Sequence, residues 1–96
     1  MSKLQVFSIR DLKSDFFAPA VHTSNATAIR WFDSMVNTPG TMVYDFPCDF
    51  ELFNIGDFDS ATGYITTNKS GPVFVISGKD VKKDGVEIEK SESYGF

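Results

Sequence analysis

The chain of 96 residues carries a net charge of −4 with a pI near 4.7, and is 42% hydrophobic and 15% aromatic. That length holds one domain, whose ten phenylalanines can fill a core, and excludes a two-domain enzyme with a cofactor cleft between its halves. Coating nucleic acid by bulk charge is disfavoured, because phosphate neutralisation needs clustered Lys and Arg, and one cysteine with one histidine cannot build a zinc site that needs several such ligands.

The first element predicted along the chain is a strand over residues 3–10, "KLQVFSIR", rich in β-branched and aromatic side chains. Leu4 and Val6 fall on one face and Phe7 and Ile9 on the other, which predicts a central strand buried on both sides. "DLKSDFFAPAVH" follows as a connector, extended or looped because Pro19 biases the residue before it away from helix. Residues 23–37 form the predicted helix. Thr23 or Ser24 can cap its first turn, and Ala28, Ile29, Phe32, Met35 and Val36 make one apolar stripe. Asn37 with Thr38-Pro39-Gly40 stops it. Arg30 and Asp33 lie opposite the stripe, close enough to pair, and Trp31 lies beside it. "TMVYDFPCDF", with Pro47 inside it, is predicted as a loop into a strand over 50–58. A strand over 64–67, a turn at "NKSGP" and a short buried strand over 73–77 complete the set.

These elements predict an α+β domain: a small antiparallel sheet of about four strands with one amphipathic helix packed on one face. Residues 1–78 would form this domain, and residues 79–96 a charged C-terminal segment, partly disordered. A single helix covers one face only. Phe50, Leu52, Phe53, Ile55 and Phe58 do not alternate with polar residues, so the other face is expected to be apolar too and to invite a partner, most simply a second copy. No apolar run reaches the ~20 residues of a membrane helix. "MSKLQVFS" lacks the features of a secretory leader, and a lone Cys48 predicts no internal disulfide and a reducing cytoplasm.

The acidic stretch "DFDSATG" (57–63) invites a catalytic reading. As a calcium loop counted from Asp57, it has Ala61 and Thr62 where a ligand and the turn glycine belong, and Asn68 where the closing glutamate belongs. As an Asp-x-Asp-x-Thr phosphotransfer site its threonine is displaced by one residue. As a hairpin every residue has a role: Asp59 bonds the backbone two residues on, and Gly63 supplies a positive φ. Cys48 is expected to be semi-buried, and Cys48 with His22 lacks a third orienting group. No glycine-rich phosphate loop is present. The expectation is therefore a non-enzymatic protein without catalytic residues, metal or cofactor.

Several motifs occur in a distinctive order. Ser8-Ile9-Arg10-Asp11 ends the first strand, followed by Phe16, Phe17 and Pro19. Then come Arg30, Phe32, Val36 and Asn37 of the helix, and the run from Asp49 through Gly63. Over residues 3–65 this pattern resembles the small nonstructural protein of gokushoviruses, the single-stranded DNA phages of the Microviridae. The C-terminal part departs from that pattern. The resemblance implies a bacteriophage nonstructural accessory protein of viral DNA replication, acting in the cytoplasm of the infected bacterial host. Lys3, Arg10, Lys13 and Arg30 would then contact phosphates of single-stranded DNA, and Phe16, Phe17 and Trp31 would stack on bases. Each has a plainer reading, ion pairing for the cations and core packing for the aromatics. The alternative is a homodimeric interaction module that engages a host factor or the phage replication initiator without touching DNA, which the net negative charge suits. A hydrolase using the clustered aspartates has too few converging ligands.

Overall fold

The computed structural model describes residues 3–83. Its chain order is β1 (Lys3–Asp11), β2 (Ala20–His22), α1 (Asn25–Val36), α2 (Met42–Asp45), β3 (Phe50–Asp59), β4 (Ile65–Thr67), β5 (Val73–Ser77) and α3 (Gly78–Val81), with a 3₁₀ turn at Pro47–Asp49. The five strands make one antiparallel sheet in the order β2-β1-β3-β4, with β5 pairing β3 beyond β4 on the same edge. The α+β class, the antiparallel sheet and the amphipathic helix on one face are as expected.

α1 forms where the sequence predicts it, and Ser24 is its cap. Ser24 Oγ accepts from Thr27 N at 3.3 Å, while Thr27 Oγ1 accepts from Ser24 N at 3.2 Å, so two of the otherwise orphaned donors of the first turn are satisfied. Ala28, Phe32 and Val36 of its stripe are fully buried against Phe7 and Ile9 of β1, Phe50 and Leu52 of β3, and Val43 of α2. β1 is indeed central and buried on both sides: Val6 and Ser8, on the face away from the helix, are as closed to solvent as Phe7 and Ile9.

The broken alternation of β3 has a simple cause. Val6 pairs with Gly56 and Phe7 with Asn54, so Ile55 is skipped; likewise Leu52 pairs with Ile76 and Phe53 with Phe74, so Val75 is skipped. A regular strand sends consecutive side chains to opposite faces; the bulge at Ile55 resets that alternation, so Phe53 and Phe58, five residues apart, share a face, and the skipped Val75 resets β5 in the same way. Phe50 and Leu52 enter the core, while Phe53 and Phe58 lie on the face that no helix covers.

The hairpin at 57–63 also forms as predicted. Asp59 O accepts from Gly63 N at 2.7 Å, Asp59 Oδ1 accepts from Ala61 N at 2.9 Å, and Gly63 has φ +83°. Between β3 and β4 the backbones approach so closely that a Cβ on Gly56 would collide with the Thr66 carbonyl.

Several expectations need correction. Residues 41–49 are not a loop: Thr41 Oγ1 accepts from Tyr44 N at 3.0 Å and starts α2, and Pro47 opens the 3₁₀ turn, where its missing N–H costs nothing. The connector, expected to be extended or looped, is extended in part, with β2 and a bridge between Phe16 and Arg10, and β2 adds a fifth strand to a sheet expected to have about four. Cys48 is exposed rather than semi-buried, since the 3₁₀ turn carries it outward. Asp33 pairs with Lys83 at 2.9 Å instead of with Arg30.

The first residues after Ser77 fold back onto α1. Asn37 Nδ2 donates to Asp33 O at 2.9 Å and to Val81 O at 3.0 Å. Lys82 Nζ donates to Val36 O and Tyr44 O at 3.3 Å each, and so neutralises the carbonyl ends of α1 and α2 together. The rest of the charged segment, with its expected disorder, lies outside the described residues.

Candidate nucleic-acid interface

The uncovered face of the sheet carries a row of aromatic rings. β1 and β3 pair Ser8 with Phe53, β3 and β5 pair Phe53 with Phe74, and the connector lays Phe16 beside Arg10. The ring centroids of Phe16 and Phe53 are 5.5 Å apart, and those of Phe53 and Phe74 are 5.9 Å apart, both edge to face. The Arg10 guanidinium sits 5.9 Å from the Phe16 centroid and begins the row with a positive charge. A cation over a ring at an exposed site contributes about 0.5–1 kcal/mol and fixes the guanidinium's direction. Phe16 is 43% exposed and Phe74 52%, so ring surface remains free to meet a ligand.

Beside this row lies a cleft of about 420 Å³. Ser8 and Ile55 form its base, the Phe16–Pro19 connector one wall, and the segment from Thr67 to Pro72 the other. Both walls are held by specific bonds. Ser8 Oγ donates to Phe17 O at 2.7 Å, and Phe17 N donates to Ile9 O at 2.8 Å, tying the connector to β1. Asn68 Nδ2 donates to Asn54 O at 2.9 Å, Asn68 N donates to Ile55 O at 3.0 Å, and Gly71 closes the turn at φ +87°. Lys69 stands in that turn, between two lining residues.

The residues singled out in the sequence divide between the two sides of the sheet. Phe16 and Phe17 line the cleft and Arg10 lies against Phe16, although the Phe17 ring itself packs 5.7 Å from Phe50. Lys3 begins β1 opposite Asp59, at the far end of the sheet. Lys13 lies just past β1, its backbone N donating to Asp11 Oδ1 at 2.9 Å. Arg30 is exposed on α1, and Trp31 packs against the core with its ring 4.9 Å from His22. Both stand on the helix layer. Phe53, Phe74 and Lys69 were missed by sequence reasoning. Only the strand pairing places Phe53 and Phe74 in the row, and the bulge at Val75 hides their relation from simple alternation.

His22 is held between Phe7 and Trp31 with its Nε2 buried and without a hydrogen-bond partner, which fits a ring used for packing. Among the described residues no three His, Cys, Asp or Glu side chains are grouped to hold a metal ion, and no helix is long and apolar enough to cross a membrane.

Neither the curated proteins nor the solved structures gave a match to this chain. The family described as "Phage ORF5 protein" matches residues 4–81, which takes in all of the sheet but Lys3, together with α1 and the cleft. The chain is a phage protein and belongs to the phage ORF5 protein family.

Proposed function

We propose that this phage protein is a non-enzymatic accessory factor in single-stranded DNA genome replication, acting in the cytoplasm of the infected bacterial host and binding single-stranded DNA on the open face of its sheet. The observation that supports this reading is the row Arg10, Phe16, Phe53, Phe74, a cation followed by rings spaced across adjacent strands. Stacking on aromatic side chains is tolerant of sequence and can carry affinity where phosphate contacts are few. That matters in a chain with net charge −4. The gokushovirus resemblance supplies the genome type, and no cofactor enters the proposal.

Fluorescence anisotropy of labelled oligothymidine at two salt concentrations tests it. Binding should weaken with salt, with a shallow log–log slope of about −0.7 to −1.4, because one or two cations release few counterions. No binding at low salt would overturn the reading.

A second reading is favoured by Tyr64, Ile65, Val73 and Phe74, all exposed. They would suit a homodimeric module that engages a host factor or the phage replication initiator, and net negative charge would not oppose it. A dimer on gel filtration that binds no oligonucleotide is the outcome expected from this alternative.

A further inference from the structure

We propose that the cleft beside the aromatic row is a nucleobase pocket, which takes one base out of the stack of a bound single strand. The proposal rests on the reading that the open face binds single-stranded DNA. At about 420 Å³ the cleft falls at the small end of the range typical of ligand sites, room for one planar ring and part of its sugar. Its base and walls are largely apolar, as the faces of a base require: Phe16, Pro19, Ile55 and Pro72.

A few polar groups stand among them. Ser8 Oγ already donates to Phe17 O, so it is left as an acceptor. Asn68 donates through Nδ2 to Asn54 O and Oδ1, which holds the amide in place and leaves its own Oδ1 as an acceptor. Thr67 lines the cleft from an exposed strand position. An acceptor-rich lining suits the amino and ring N–H donors of a base edge.

Charge complementarity argues for a nucleotide over an apolar peptide side chain. Arg10 lies over Phe16, a residue of one wall, and Lys69 belongs to the turn that forms the other, so each wall has a cationic residue in or beside it. A strand crossing the opening would place the phosphates on either side of the inserted base near these two cations. An uncharged side chain from a protein partner would leave both unused.

The test uses the full chain, ¹⁵N-labelled and titrated with oligothymidine, beside the Thr67→Tyr variant, whose ring would fill the cleft from an exposed position. The expected result is that amide resonances of Thr67, Asn68 and Gly71 shift together with those of Phe53 and Phe74. Thr67→Tyr should weaken binding about 5- to 150-fold, the range for losing one stacked base, without changing the salt slope or the thermal midpoint. Should the variant fail to fold, the shifts in the unmodified chain decide the question.

If oligothymidine binds and shifts Phe53 and Phe74 but leaves 67, 68 and 71 in place, the pocket is overturned and the DNA-binding reading stands. Absence of any binding overturns both. Free dTMP shifting the cleft resonances as tightly as the oligomer would make this a free-nucleotide site. Shifts that depend on protein concentration without DNA would make a second copy the occupant. Either outcome overturns the proposal.

Discussion

The two faces of the sheet are built from the same kinds of residue and put to different uses. On the helix side Phe7, Phe32 and Phe50 are completely enclosed, and each ring fills space that would otherwise be a void. On the other side Phe53 meets Phe16 and Phe74 edge to face, while Phe16 and Phe74 remain about half exposed. Aromatic content therefore does not distinguish core from surface. What separates the two is whether an amphipathic helix lies over the strand, and α1 can lie over only one face.

The largest test of this contrast is truncation on either side. Phe32→Ala should cost about 3–5 kcal/mol in urea unfolding, because it removes a ring and leaves a cavity. Phe74→Ala should cost about 1 kcal/mol or less, because its ring has one aromatic neighbour and water already reaches it. Equal losses would show that the open face is a second core, covered in solution.

Next in size is Gly56→Ala, at the closest approach of β3 and β4. The added methyl meets the Thr66 carbonyl, so the strands must separate, at about 1–3 kcal/mol in the same unfolding experiment. A neutral result would mean that β4 yields freely.

The faces also differ in what their cations should do. Arg10→Ala should weaken oligothymidine binding several-fold and reduce the salt slope by about 1, whereas Arg30→Ala, on the helix layer, should leave anisotropy titrations unchanged. An equal effect from Arg30 would move the strand to the other side of the molecule.

The smallest effect concerns Lys82. Burial lowers its pKa below the ordinary lysine value, while the charge of Asp45 acts in the opposite sense. The folded state thus binds its proton less readily than the unfolded state, so stability should rise with pH as the ordinary lysine value of 10.5 is approached from below, and this gain should be lost as pH falls. Asp45 and the two carbonyls that accept from Nζ keep the slope shallow. Thermal midpoints of Lys82→Met across that window should lose the slope.

Much of this architecture could be read from the residues. Ser24, the stripe from Ala28 to Val36 and the stop after Asn37 set the helix through local chemistry, and Asp59 with Gly63 set the hairpin in the same way. What escaped depends on partners distant in the chain. β2 is three residues long and exists because Gln5, Val6 and Phe7 offer it an edge, a pairing that leaves little trace in "AVH" itself. The short helix at Met42–Asp45 hangs on one threonine cap and on burial of Val43, too slight a signal beside Pro47. The open-face row was half legible: Arg10 and Phe16 stood out as a cation and an aromatic near one another, but Phe53 and Phe74 join them only through a ladder with a skipped residue.

That skipped residue has a counterpart with a wider consequence. Ile55 contributes to the base of the cleft, yet β1 and β3 pair on either side as though it were an insertion, with Val6 opposite Gly56 and Phe7 opposite Asn54. A chain shortened by that one residue could close a regular ladder with every remaining side chain on the face it now occupies. The domain would keep its core and lose part of the floor beneath the connector. Ladder and cleft thus meet at one residue, and deleting Ile55 is expected to preserve the strand pairing while removing part of the cleft's lining.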